Sequence, residues 1–180
     1  MKTIRLKDGK ERSALRSHPW IFDSAIAKGG ADAGETVRVE SHSGSFLGWA
    51  SFSPTSKIRA RVWSFDESQR IDAEFFKLSI QRAIAARSRF DIQSNGVRLI
   101  HGESDGLPGL IVDRYDDTLV AQFLSSGTER WKNDIADAFA RANGLDQTLR
   151  TLGLRRARLG RPAACHGLVA RRGADGHRLA

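Results

Sequence analysis

The composition of this chain changes abruptly near residue 148, so a single folding pattern cannot hold over its whole length. Residues 149–180 contain eight Arg, no Lys, no Ile, no aromatic side chain, a single acid (Asp175) and the only Cys (Cys165). Residues 1–148 have the mixed apolar and polar patterning of strands and helices. We therefore expect a compact fold only before residue 148. The Arg-rich tail at 148–180 is expected to be disordered, because it has too little apolar mass to offset the entropy of ordering.

Charge is also distributed unevenly. The formal net charge of +8 and the pI near 10.4 are typical of nucleic-acid-binding proteins. However, residues 149–180 hold eight of the 29 Lys and Arg and one of the 21 Asp and Glu, which leaves a net charge of only +1 for residues 1–148. Residues 1–17 carry six cations against Asp8 and Glu11, a local net charge of +4. Local patches are thus a better indicator of RNA binding than the overall pI.

Size and composition place the chain among soluble cytoplasmic proteins. A length of 180 residues suits one or two small domains. One cysteine provides no disulfide framework and no cysteine-based zinc site, which fits a reducing compartment. No apolar run approaches the roughly 20 residues of a membrane span, and no apolar segment follows the N-terminal charges as in a secretory signal. The expected partners therefore exclude membranes.

The first part of the chain is predicted to be β-rich. Residues 36–39 and 46–50 have strand patterns on either side of a polar turn. Residues 57–63 alternate strictly, which places Ile58, Ala60 and Val62 on one face. The opposite face of this strand carries Lys57, Arg59, Arg61 and Trp63.

The second part is predicted to combine helices with short strands. Asp72 is a suitable N-cap for a helix, with Ile71 and Phe76 in the positions of a hydrophobic staple. A hairpin is expected around Asp116-Asp117. A second helix is expected from Thr128 to Ala142, followed by an Asn143-Gly144 stop. The strands of this part are predicted at residues 97–100, 110–112 and 119–124.

Carboxylates cluster in and after the loop at residues 102–109, which raises the alternative of an acid–base enzyme centred on Glu103 and Asp105. The same Gly, Pro, Ser and Asp content is ordinary turn chemistry, and only His101 accompanies the acids. We favour a structural loop here, and we predict no catalytic residue and no metal site.

Two patches have the composition of an RNA-binding surface. The first is the run around Lys7, Lys10, Arg12 and Arg16, followed by His18, Trp20 and Phe22, and the second is the strand face of Lys57, Arg59, Arg61 and Trp63. Cations neutralise phosphates while aromatic rings stack on unpaired bases. The alternative is a solvated strand face with Trp63 packed on a neighbouring element. The candidate RNA contacts are Lys10, Arg12, Arg16, His18, Trp20, Lys57, Arg59, Arg61 and Trp63.

Four motifs resemble one family in order and spacing. They are KERSALRSHPWIF at 10–22, SPTSKIRARVW at 53–63, the GESDGLPG run at 102–109 that continues to DRY at 115, and LSSG at 124–127. Together they resemble the bacterial class I SAM-dependent 23S rRNA (cytosine-5) methyltransferases, the large-subunit methyltransferase I family. The resemblance covers about residues 2–147.

The resemblance implies an α+β chain in two units. A small β-rich, barrel-like PUA domain that binds RNA is implied for residues 2–70. An incomplete ferredoxin-like α+β domain is implied for residues 71–147. In the family, a Rossmann-like domain follows, with a glycine-rich SAM loop, an Asp-Pro-Pro segment and a nucleophilic cysteine. This sequence matches none of these three elements, so we expect no cofactor in this chain, although the full-length family uses S-adenosylmethionine.

The Arg-rich tail has two interpretations. Back-translation of residues 149–153, read one base later, gives Tyr-Glu-Arg-Ser-Asp, close to the strand that the family places after this helix. This favours an out-of-frame tail over a genuine Arg-rich arm, and predicts an offset open frame encoding a SAM domain in the downstream DNA. Without that strand, Trp131, Ile135 and Phe139 are expected to be partly uncovered. An uncovered patch favours self-association, so a homodimer is included among the expected partners.

These observations predict the RNA-binding N-terminal portion of an rRNA (cytosine-5) methyltransferase, without its catalytic domain and inactive alone. Its expected partner is large-subunit ribosomal RNA. The alternative is a stand-alone PUA-type RNA-binding module without catalytic activity.

Overall fold

The structure, a computed structural model, describes residues 1–91, 93–116, 118–142 and 168–170. These residues form two sheets and four α-helices arranged around two apolar cores. The predicted α+β class is confirmed. The predicted stop at Asn143-Gly144 and most of the Arg-rich tail lie outside the described residues.

The first sheet has six strands and curls around the first core. Its elements are β1 (Thr3–Leu6), α1 (Arg12–Leu15), β2 (Trp20–Phe22), β3 (Ile26–Gly29), β4 (Thr36–Glu40), β5 (Phe46–Phe52) and β6 (Ile58–Ser64). The strand order is β2-β6-β5-β4-β1-β3, and only the β1–β4 pair is parallel. β2 is therefore an edge strand.

Alternation of apolar residues explains the strands that were predicted. Val37 and Val39 of β4 are fully buried, while Arg38 between them lies on the other face. Ala60 and Val62 of β6 join the same core. Strands β1, β2 and β3 were not predicted, because each has only three or four residues and pairs with distant segments.

The second sheet and its helices enclose the second core. Its elements are α2 (Ala73–Arg87), β7 (Gly96–His101), β8 (Leu110–Tyr115), β9 (Thr118–Phe123), α3 (Ser126–Arg130), α4 (Lys132–Ala142) and β10 (Leu168–Ala170). The order β10-β9-β8-β7 is antiparallel throughout. The predicted hairpin is present between β8 and β9, where Tyr115 pairs with Thr118.

Helix α2 begins where the sequence indicates. The Asp72 side chain accepts a hydrogen bond from the Phe75 amide at 3.1 Å, as an N-cap does. Phe76 and Ile80 are fully buried one turn apart, and Phe76 contacts Trp131 with ring centroids 5.0 Å apart. This helix therefore contributes its apolar face to the second core.

The helix predicted from Thr128 to Ala142 is instead two helices. Ser125 and Thr128 form a capping box: each side chain accepts a hydrogen bond from the other residue's backbone amide at 3.2 Å. This cap starts α3 earlier than expected. The chain then leaves helical geometry at Trp131 before α4 begins.

The tail supplies a strand that sequence analysis did not expect. β10 pairs antiparallel with β9, with Leu168 opposite Ala121 and Ala170 opposite Leu119. A short apolar segment can pair on an open strand edge whatever surrounds it in sequence. On the face of α3 and α4 expected to be partly uncovered, Trp131 is partly exposed. The expectation is wrong for Ile135 and Phe139, which are only 1% and 2% exposed because α4 packs against α2.

The two cores touch through close contacts between their elements. Trp63 of β6 belongs to the second core, and its ring lies 5.3 Å from that of Phe76. A Cβ added at Gly127 would lie 2.5 Å from Oγ of Ser51 and 2.7 Å from Cζ2 of Trp63. The backbone of α3 at Gly127 therefore lies directly against side chains of the first sheet.

Candidate nucleic-acid interface

The two predicted RNA-binding patches meet on one edge of the first sheet. α1 contacts β2, and β2 pairs antiparallel with β6, so that Trp20 lies opposite Arg61 and Phe22 opposite Ile58. Directly paired residues project to the same sheet face. We call this surface the β2–β6 edge, and it comprises Lys10, Arg12, Arg16, His18, Trp20, Phe22, Lys57, Arg59 and Arg61.

The edge has cations available to a ligand. Lys10, Arg12, Arg16 and Lys57 are exposed, and within the described residues none of them has a carboxylate within 4.0 Å. An exposed cation without an internal partner can neutralise a phosphate without first breaking an ion pair. These four side chains therefore carry positive charge that an anionic ligand could reach.

Arg59 is committed to the fold. Its guanidinium donates to the Pro54 carbonyl and lies 3.7 Å from an Asp23 carboxylate oxygen. A ligand would have to compete with both contacts, so Arg59 is a weaker candidate than its position in the sequence indicated.

Arg61, unlike Arg59, has no internal partner among the described residues. It is half-buried, and no hydrogen bond or ion pair reaches its guanidinium from the part of the chain described. Burial lowers the pKa of Arg61 because it disfavours the charged form, and the negative charge of Glu103 acts in the opposite direction. Arginine remains charged at neutral pH, so this is a partly desolvated cation beside a carboxylate.

Trp63 does not offer a stacking plane. Its side chain is 5% exposed and packs edge-on against Phe76, with α3 close on its other side. Alternation placed it correctly on the face opposite Val62, but the second core covers that face. The alternative considered for Trp63, packing on a neighbouring element, describes its position.

Trp20 is half-buried, and its side chain is hydrogen-bonded to Glu103 in the loop at residues 102–109. Its Nε1 donates to Oε1 of Glu103 at 2.7 Å, and its ring meets His18 and Phe22 edge-on, with centroids 5.7 and 6.5 Å apart. Phe22, which belongs to the first predicted patch but was left out of the candidate contacts, is 45% exposed. The sequence feature that indicates the exposure of Phe22 is the alternation along β2, in which only Ile21 is buried.

His18 is exposed at the turn that leads into β2. Its Nδ1 accepts a hydrogen bond from the Trp20 amide at 3.2 Å, which leaves Nε2 as the outward nitrogen. Ser17 before it has a left-handed φ of 58°, and this turn carries the chain from α1 onto the sheet edge. His18 can therefore donate a hydrogen bond to a ligand through Nε2.

The carboxylates of the 102–109 loop have structural partners. Asp105 lies 2.6 Å from the Arg87 guanidinium and also accepts from the His101 amide at 2.6 Å. Glu103 accepts from Trp20. In the described part of the chain, no group of three or more His, Cys, Asp or Glu could hold a metal ion. The geometry thus supports a structural loop more than an acid–base centre.

The fold and this edge define the class of domain: residues 4–65 match the family described as a PUA-like domain. Over 142 residues the chain is 46% identical to Ribosomal RNA large subunit methyltransferase I of Shewanella denitrificans, which covers 76% of this chain and 36% of that protein. It is 47% identical over 139 residues to the protein of the same name in Shewanella frigidimarina, covering 74% and 35%. The chain is therefore a relative of the ribosomal RNA large subunit methyltransferase I family, as the motifs indicated.

Solved structures support the fold. A Streptococcus mutans protein assigned to the SAM-dependent methyltransferases superposes with a TM-score of 0.71 at 19% identity, covering 80% of this chain and 38% of that one. A second structure assigned as a methyltransferase, in complex with SAH, has a TM-score of 0.72 at 19% identity with the same coverage. The chain thus spans about a third of the length of the relatives it matches. Among the described residues, no helix combines the length and apolarity that a membrane span requires.

Proposed function

We propose that this chain binds large-subunit ribosomal RNA through the β2–β6 edge. It would act as the RNA-recognition portion of a SAM-dependent rRNA (cytosine-5) methyltransferase, with methyl transfer located elsewhere. The observation that carries the proposal is the convergence on one sheet edge of four exposed cations that have no carboxylate partner among the described residues. The names of the relatives supply the kind of RNA.

The edge has both components that single-stranded or looped RNA requires. Lys10, Arg12 and Arg16 can track the phosphate backbone, and the exposed rings of His18 and Phe22 can meet unstacked bases. Elsewhere on the surface, many cations are already paired, as Lys2 is with Glu35 at 2.6 Å. The β2–β6 edge is therefore favoured over the rest of the surface.

Replacing Lys10, Arg12 and Arg16 together with Gln is expected to weaken binding of a large-subunit rRNA fragment. Each lost phosphate contact on a single strand should flatten the slope of log K against log[salt] by about 0.7, so the triple variant should lose roughly 2. Fluorescence anisotropy at several salt concentrations measures both affinity and slope.

The matched control replaces Lys28, Arg89 and Arg114 with Gln. These cations are also exposed and have no ion pair among the described residues, and Lys28 lies on β3 at the opposite edge of the sheet. Equal losses in the two triple variants would show that binding follows total charge, and would contradict a specific role of the β2–β6 edge.

The purified chain is expected not to bind S-adenosylmethionine. The sequence matches neither the glycine-rich SAM loop nor the Asp-Pro-Pro segment that the full-length family carries. Isothermal titration calorimetry with S-adenosylmethionine should give no binding heat beyond dilution. A stoichiometric titration, or methylation of rRNA by this chain alone, would contradict the assignment of methyl transfer to another part of the protein.

A further inference from the structure

The surroundings of the half-buried Arg61 do not suit a phosphate. Its guanidinium has no partner among the described residues, yet it lies beside the carboxylate of Glu103. A phosphate at Arg61 would be repelled by that carboxylate. A neutral ligand that accepts hydrogen bonds on one edge and donates them on another would satisfy both groups.

Glu103 has an oxygen available for such a ligand. Oε1 accepts the Trp20 indole N–H at 2.7 Å. No hydrogen bond reaches Oε2 from the described residues, and Oε2 is not among the buried atoms that lack a partner, so solvent reaches it. The bond to Trp20 fixes the carboxylate in place, so that the second oxygen is a positioned acceptor.

Trp20 supplies an aromatic surface beside these groups. It lies directly opposite Arg61 in the β2–β6 register, so both side chains project from the same sheet face. Arg61 and Glu103 are more than 4.0 Å apart, which leaves a gap between donor and acceptor. A planar base beside the indole could bridge this gap.

We propose that Arg61, Glu103 and Trp20 form a recognition site for a guanine base of single-stranded RNA. This inference rests on the proposed RNA-binding function. Guanine carries acceptors at O6 and N7, which match the Arg61 guanidinium, and donors at N1 and N2, which match Oε2 of Glu103. Adenine keeps the N7 acceptor but presents a donor where guanine has O6, and it has no donor at N1 or C2. It can therefore make at most one hydrogen bond to each group where guanine can make two.

The test uses uridine nonamers with one central guanosine, adenosine, inosine or 7-deazaguanosine, titrated by fluorescence anisotropy into the full chain. The guanosine oligomer is expected to bind about tenfold tighter than the adenosine oligomer, in line with one good bidentate base contact. Inosine lacks the N2 donors and 7-deazaguanosine lacks the N7 acceptor, so each should lose part of this preference.

Glu103→Gln is the decisive variant, because its amide oxygen can still accept from Trp20 while its NH₂ group opposes the guanine donors. It should bind guanosine and adenosine oligomers equally, with an unchanged melting temperature. Glu74→Gln removes an equal charge from an exposed residue of α2 and should keep the preference.

The outcomes separate the two proposals. Equal binding of all four oligomers by the wild-type chain, with the rRNA fragment still bound, would overturn guanine recognition alone. Uniform weakening of every oligomer by Glu103→Gln would also overturn it, since the carboxylate would then serve only to hold Trp20. Absence of binding to the oligomers and to the rRNA fragment would overturn the proposed function itself.

Discussion

Replacing Phe76 with alanine is expected to lower the free energy of unfolding by about 3–5 kcal/mol. Phe76 is fully buried at the centre of the second core. Its ring contacts Trp63, Phe75 and Trp131, with centroid distances of 5.3, 5.2 and 5.0 Å. Truncation would remove these contacts and leave a cavity that three large, mutually constrained rings cannot easily fill.

Urea denaturation followed by circular dichroism measures this loss. Leu78→Ala is the control, because Leu78 lies on the same helix and is 48% exposed; surface changes of this kind usually stay within about 0.5 kcal/mol. A loss below about 1 kcal/mol for Phe76→Ala would show that Phe76 does not join β6 to the second core as described.

Gly34→Ala is expected to lower the free energy of unfolding by about 3 kcal/mol or more, because it combines a strained backbone conformation with a steric collision of the added Cβ. Gly34 has a φ of +81°, where a side chain is strained. An added Cβ would also collide with the Ser126 carbonyl and lie 2.9 Å from Cβ of Arg130. The backbone of Gly34 is itself held, because its amide donates to the Phe52 carbonyl at 2.8 Å.

Gly9→Ala separates the two contributions. Gly9 has a similar φ of +70°, but nothing lies within 4 Å of an added Cβ. This variant should therefore show only the backbone cost of roughly 1–2 kcal/mol. If the two variants lose equal stability in the same denaturation assay, the first sheet and α3 do not meet at Gly34.

Much of the framework could be predicted from local sequence signals. Alternation predicted β4 and β6, because one face of each strand is buried and the period of two is unambiguous. Asp72 predicted the start of α2, because N-capping depends on a residue and its own next turn. The hairpin between β8 and β9 is likewise a local feature.

What could not be predicted depends on contacts distant in sequence. β1 pairs with both β3 and β4, and although its four residues alternate, so short a run does not specify a strand by itself. The same limit applies to Trp63, since alternation assigns a residue to a face but does not reveal what covers that face. For Trp20, the contact with Glu103 spans 83 positions in the chain.

In the candidate site, too, local sequence signals predicted some features, and contacts distant in sequence determined the others. Residue types alone indicated two cationic patches, and Lys10, Arg12 and Arg16 of the first patch are exposed. The sequence pattern predicted Arg59 and Arg61 equally as RNA contacts. In the structure, only Arg59 of the two has internal partners among the described residues. The difference arises because Pro54 and Asp23 lie within reach of Arg59, whereas the charged group beside Arg61 is Glu103 of the 102–109 loop.

The bond between Trp20 and Glu103 has a mechanical consequence. It joins β2, an edge strand of the first sheet, to the loop that follows β7, an edge strand of the second sheet. Gly34 and Gly127 bring α3 against the first unit at other points. Because the two units contact each other at several separate points, rotation of one unit relative to the other about the connecting segment is restricted. A ligand that bound beside Trp20 would therefore keep a fixed orientation relative to α2 and α4.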